Sequence, residues 1–234
     1  MTTPVQHNTA SAGAGPRETR DRSRRLTLLC AAWSAGVLTG MCALWTYGAA
    51  PGTDAAAQSH WPAQSQIHRD GRPTLVLFAH PLCPCTRASL AELARLCATC
   101  GDRVDTHVVL IAPNESDNSR HDAQWQQSAI QTLAADIDGV TLHRDAGRHE
   151  TRLFGAETSG ACLLYAADGR LLFAGGITAS RGHEGDNFGR QAIQAWLTRT
   201  QPASSTSAVY GCPLFEPRNR SAAASSIASQ TSID

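Results

Sequence analysis

The chain contains no lysine: its 20 basic residues are all arginine, and 20 acidic residues balance them to zero net charge. A neutral balance gives no sign of a nucleic-acid partner. The missing lysine is a trait of composition and points to no activity. No G-x-S-x-G, no Walker loop and no glycine fingerprint after a strand occurs. Hydrolysis, phosphoryl transfer and nucleotide binding are therefore without support. No internal repeat is present. Eight cysteines, two of them in one apolar run, are too few and too unevenly spread for a disulfide-framework miniprotein.

A second lack is local. No charged residue occurs among the 23 positions from Leu26 to Gly48, a run long enough to span a bilayer. Trp45 and Tyr47 stand at its far end, where interfacial aromatics belong. Ahead of it lie Arg17, Arg20, Arg22, Arg24 and Arg25 against Glu18 and Asp21, and no arginine follows until Arg69. This bias predicts a cytoplasmic N-terminus, with everything after Gly48 on the other side. Small residues at 48–50 or 55–57 would also suit cleavage of a signal peptide. The 25-residue lead favours a retained anchor. On either reading the later cysteines face a compartment where disulfides persist.

The organisation expected is a polar, disordered tail over 1–25, a membrane span over 26–48, and a flexible spacer over 49–71. A folded domain follows over 72–200, then a disordered Ser/Ala-rich tail over 201–234. The island Val209-Tyr-Gly-Cys-Pro-Leu-Phe215 interrupts that tail. Within the domain, strands are predicted at 74–79, 104–111 and 140–143. Helices are predicted at 85–98, 122–137 (closed by Gly139), 146–154 (closed by Gly155) and 188–199, the last capped by Asp186 or Asn187. Asp168-Gly169 marks a two-residue hairpin turn between strands at 161–166 and 170–174. Interleaved strands and helices followed by a hairpin predict an α/β fold, a mixed sheet with helices on both faces.

Cys83-Pro84-Cys85 falls where the first strand meets the first helix of this domain. A helix N-terminus directs N–H groups and positive dipole at what lies there, favouring the reactive thiolate. A disulfide closed over one residue is a small, strained ring and easily reduced. Pro84 stiffens the loop and supplies no N–H. His80, three residues ahead, is a candidate proton acceptor for a thiol. With Cys83 and Cys85 it also forms a candidate Cu(I) set, so redox chemistry and copper binding both remain open. Cys97 and Cys100 form a C-x-x-C at the end of a helix, where the dipole opposes a thiolate. They read as a structural disulfide or loose thiols. Cys162 reads as a core residue. Cys212, in the island, is a possible additional thiol that could return to the site or pair with nothing.

This order of elements, with paired cysteines after the first core strand, resembles the thioredoxin-like superfamily. Within it, the stretch Phe154–Gly176 resembles the membrane-anchored periplasmic branch of TlpA- and ResA-type proteins. His80-Pro-Leu-Cys-Pro-Cys-Thr-Arg-Ala-Ser-Leu, together with the run from Gly175 to Asn187, is similar to RedB-like proteins. The resemblance covers about 130 residues. It implies a thioredoxin-like fold with a C-terminal hairpin and helix, with Cys83 as the more exposed, attacking thiol and Cys85 as the resolving one. Ser159 and Gly160 stand at the implied substrate edge. The polar run Arg181–Asn187, with His183, Glu184 and Asp186, is expected to flank the thiols. Two positions depart from the family: the motif is C-x-C, and Ser159-Gly160-Ala161 stands where the family has a cis-proline. The resemblance implies a single-pass protein of the bacterial inner membrane, exchanging thiols and disulfides with proteins outside the cytoplasm without a cofactor. A copper-binding module and a non-catalytic scaffold are the alternatives.

Overall fold

The computed structural model describes residues 16–113 and 128–215, and the chain divides into two compact units, Met1–Tyr47 and Gly48–Asp234. The first is built on helix α1 (Pro16–Ala49), of which Arg20–Ala49 is long and apolar enough to cross a membrane. The helix starts ahead of Leu26, so residues from Pro16 onward are helical where a disordered lead was expected. Proline suits a first helical position, and Arg25 pairs with Asp21 one turn back at 2.9 Å.

In the second unit, β1 (Thr74–Ala79) is wholly buried at the centre of a five-stranded sheet. Parallel to it runs β2 (Asp105–Ala112), and β3 (Val140–Ala146) continues the parallel set at one edge. On the other side, β4 (Ala161–Tyr165) and β5 (Leu171–Gly176) add antiparallel. Their hairpin turns around Asp168-Gly169 as expected, but closes over the three residues 167–169 instead of two: the Ala166 N–H donates to the Arg170 carbonyl, the Gly169 N–H donates to the Ala166 carbonyl, and Gly169 takes the left-handed position (φ +90°). Between β1 and β2 lies α2 (Thr86–Cys100). Then come α3 (Ala129–Ala135) before β3, α4 (His149–Leu153) before β4, and α5 (Phe188–Leu197) last. The strand order β3-β2-β1-β4-β5, with a βαβ crossover and a terminal hairpin and helix, makes the fold thioredoxin-like, as the resemblance implied.

Boundaries shift for local reasons. Ser128 caps α3 by accepting from the Gln131 N–H, and positions 122–127 of the predicted helix lie outside the described residues. That helix closes at Asp136, and Gly139 (φ +75°) turns the chain into β3 instead of capping it. The strand β3 runs on to Ala146, so α4 is shorter than predicted; the Asp145 carboxylate accepts from the Glu150 and Thr151 N–H groups at 3.0 and 2.8 Å. Of the two capping candidates for α5, Asn187 serves, accepting from the Arg190 N–H at 2.8 Å.

Alternation in β1 sorts the core. Leu75, Leu77 and Ala79 join Leu90, Leu93 and Leu96 of α2 and Ile193 of α5 on one face. Each fully buried leucine there stabilises the fold by about 1.5–3 kcal/mol. Val76 and Phe78 face the other side, where α4 is the one described helix and two extended segments complete the cover.

Those segments correct the expected spacer and tail. Trp61 packs edge-on against Phe154 and Tyr165 at 4.9 and 5.2 Å, and Ile67 is buried. Buried Glu150 accepts from the Ser65 hydroxyl and the Gln66 N–H, tying this stretch to α4. From the C-terminal side, Val209 and Leu214 enter the same apolar face. A face this apolar with so little helix over it is covered by whatever chain reaches it. The expected tail is therefore ordered up to Phe215, and positions 216–234 lie outside the described residues.

Candidate thiol site

The register of β1 against β4 pairs Phe78 with Ala161, which sets the turn before β4 beside the end of β1. His80 leaves β1 there, and its N–H donates to the Ser159 hydroxyl at 2.9 Å. Gly160 sits at φ +93° and donates its N–H to the Phe78 carbonyl. A Cβ at Gly160 would stand 2.8 Å from the Ser89 hydroxyl, so the position suits glycine on both conformation and space. All peptide bonds among the described residues are trans.

From His80 the chain turns tightly: the Cys83 N–H donates to the His80 carbonyl and the Thr86 N–H to the Cys83 carbonyl, each at 3.1 Å. Cys85 already has helical angles (φ −66°, ψ −25°), so α2 begins inside the motif. The Thr86 hydroxyl lies 2.8 Å from that of Ser159, joining the motif to the turn before β4.

Cys83 is buried, at 1% exposure, and Cys85 is half-buried. The resemblance implied that Cys83 would be the more exposed of the two; it is the less exposed. Burial pushes the Cys83 thiol up, but its neighbours outweigh it. The proximity of Cys212, of Thr86 and of the Cys85 backbone holds the thiol below its ordinary value. Cys85 moves the other way, raised by burial, by the charge of Cys83 and by donating to its sulfur, with Arg181 opposing. Burial and the same neighbour push Cys212 up to about 12, again against Arg181. The opposite shifts make Cys83 the first of the three thiols to ionise.

His80 shapes the turn. Its Nδ1 accepts from the Leu82 N–H at 3.1 Å, and burial followed by the charge of Arg148 lowers its pKa. Among the described residues no three His, Cys, Asp or Glu side chains gather in a metal-binding arrangement, so the Cu(I) set Cys83, Cys85 and His80 is not assembled.

The loop 181–187 reaches the thiols through Arg181, which the sequence reading did not single out; its side chain also bonds the Gly211 carbonyl. His183 is exposed. Glu184 pairs with Arg95 at 3.0 Å and Asp186 with Arg190 at 3.2 Å, which directs both to the flanking helices. Glu92, wholly buried on α2, anchors this loop. It accepts from the Gly185 N–H at 2.8 Å and from the Asn187 side chain, and it pairs with Arg190 at 2.7 Å and with Arg95. Its place on the apolar stripe, one turn from Ser89 and from Leu96, is a sequence signal that went unread.

The remaining cysteines lie elsewhere. Cys97 and Cys100 are free thiols closing α2, both raised by burial. Cys162 is fully buried in β4 and strongly raised.

No family model matches the chain, and no curated protein matches it. Solved structures do. A hypothetical protein from Sinorhizobium meliloti is 20% identical at a TM-score of 0.50, covering 73% of this chain and 96% of that one. An uncharacterized conserved protein from Geobacillus kaustophilus is 14% identical at 0.50, covering 73% and 94%. A secreted Mycobacterium tuberculosis disulfide oxidoreductase, homologous to E. coli DsbE, is more distant: 16% identical at 0.39, covering 55% and 82%. The first two likenesses are of fold.

Proposed function

We propose that this chain is a membrane-anchored thiol–disulfide oxidoreductase whose nucleophile is Cys83. The observation that carries the reading is the placing of two thiols where β1 ends and α2 begins, with the Ser159 hydroxyl joined to the His80 N–H and the Thr86 hydroxyl on either side of them. A thiolate so held attacks one sulfur of a protein disulfide, forming a mixed disulfide and releasing the other sulfur as thiolate. Cys85, losing its proton to that leaving group, then attacks Cys83. The bond to the substrate breaks, the substrate leaves reduced, and the Cys83–Cys85 pair is left oxidised by two electrons. The reverse sequence oxidises a substrate dithiol. The small C-x-C ring favours this reverse direction, since strain makes its disulfide the better oxidant. Exposed Leu82, next to the nucleophile, offers an apolar contact to a protein substrate.

In this reading α1 is a signal anchor of the bacterial inner membrane, with the arginines ahead of Leu26 in the cytoplasm and the thiols in the periplasm. The anchor, Cys-Pro-Cys and the Gly175–Asn187 run support a place beside TlpA-, ResA- and RedB-like proteins.

The test is a redox titration. Full-length protein in detergent, equilibrated with graded ratios of reduced and oxidised glutathione, is expected to pass reversibly between thiol and disulfide at Cys83. Alkylation and peptide mass mapping read the two forms. A Cys83 that stays reduced at every ratio overturns the reading.

A further inference from the structure

The segment carrying Cys212 is bound to the domain on both sides of the cysteine. Ser159 donates its N–H to the Cys212 carbonyl and Leu214 donates its own to the Glu157 carbonyl, both at 2.8 Å, with Thr158 and Pro213 paired between them. Proline at that position leaves no N–H unsatisfied. Gly211 fits because any Cβ there would run into the Ser159 carbonyl, and Arg181 bonds the Gly211 carbonyl. Val209 and Leu214, each 1% exposed, fix the two ends in the apolar face, and Gly52 donates to the Val209 carbonyl at 2.8 Å. A cysteine held this way lies against Ser159, whose hydroxyl bonds the His80 N–H and the Thr86 hydroxyl on either side of Cys83, and is positioned as a reactant.

We propose that Cys212 is a third redox thiol of the site, taking Cys83 from Cys85 as an internal resolving group. The proposal rests on the exchange chemistry above. The Cys212 sulfur, as thiolate, attacks the Cys83 sulfur of the Cys83–Cys85 disulfide. A Cys83–Cys212 bond forms, the Cys83–Cys85 bond breaks, and Cys85 leaves as a thiolate that takes up the proton Cys212 lost. No electrons enter or leave. The strain of the C-x-C ring drives the step, because a bond to Cys212 closes a long loop without that constraint. Deprotonation of Cys212 becomes easier at this stage: Cys83, whose charge and hydrogen bond raise it, is neutral in the disulfide, and Arg181 remains.

The experiment uses full-length Cys85→Ser protein in glutathione buffer, with disulfides located by peptide mass mapping. Cys83 is expected to appear bonded to Cys212 as the dominant oxidised form, since Cys212 expels glutathione from a transient mixed disulfide. Accumulation of glutathionylated Cys83 beside a free Cys212 overturns the proposal while leaving exchange at Cys83 standing. A Cys83 that takes up no disulfide in wild type and variant alike removes the exchange reading itself. Adding Gly211→Ala, which the Ser159 carbonyl should expel from its seat, is expected to switch the product to glutathionylated Cys83. An unchanged yield of the Cys83–Cys212 bond shows that docking is not what brings the thiols together, and also overturns the proposal.

Discussion

Cys83→Ser is expected to reduce disulfide exchange to the uncatalysed background, with the fold retained. The surroundings of Cys83 hold its thiol below the ordinary value, and a serine hydroxyl does not ionise in the same range. The measurement is reduction of a small protein disulfide substrate by full-length protein, with circular dichroism as the control for folding. Cys85→Ser differs in kind: it keeps the attacking thiolate and should hold mixed disulfides longer. The sign of the pH dependence follows from the opposite shifts. Cys83 lies below the ordinary thiol value, while Cys85 and Cys212 lie above it. Alkylation of Cys83 should therefore rise with pH at a midpoint below that of an unperturbed thiol, and reach its plateau before the other two react. A Cys83→Ser protein with wild-type exchange, or a Cys83 that alkylates later than Cys85, contradicts this assignment.

Glu92→Ala is expected to carry the largest cost in stability. The carboxylate is wholly buried, and its removal leaves the Gly185 N–H and the Asn187 amide without their acceptor. Arg190, largely buried, loses its partner as well. Breaking a buried ion pair from one side typically costs about 3–5 kcal/mol. For a domain of this size that is a fall in Tm on the order of 10 °C. Urea unfolding of the variant measures it, and a loss below about 1 kcal/mol would show that the loop holds without this anchor. Because Glu92 ties α2 to the loop that delivers Arg181, the variant should also raise Cys85 further by weakening that cation's hold.

The features legible beforehand were those written in local pattern. The β-branched and aromatic run at 74–79, the leucine stripe of α2 and the Asp168-Gly169 turn each place their element within a residue or two. Cys-Pro-Cys at a strand–helix junction marks the thiols for the same reason. What escaped lies in non-local contact. The stretch from Gly52 to Ile67 lacks periodicity, yet Trp61 and Ile67 fill an apolar face that α4 is too short to cover. Residues 201–215 have the composition of a disordered tail, yet two isolated apolar residues and four backbone hydrogen bonds to the rest of the domain seat them. Spacing within a segment records the period of its own backbone; it says nothing of which distant edge will accept its N–H groups.

By itself, then, the sequence determined the order of the elements, the apolar span and the position of one thiol pair, because each rests on neighbours along the chain. Only the tertiary structure decided that Cys83 is buried, that Arg181 is the loop residue acting on Cys85, and that the Cys212 segment docks against Ser159 beside the pair. Those depend on the edge at Glu157–Ser159 finding a partner in a segment that lies beyond the last helix. Sheet-edge hydrogen bonding and burial of Val209 and Leu214 supply the energy for that pairing, and both exist only once the fold has formed.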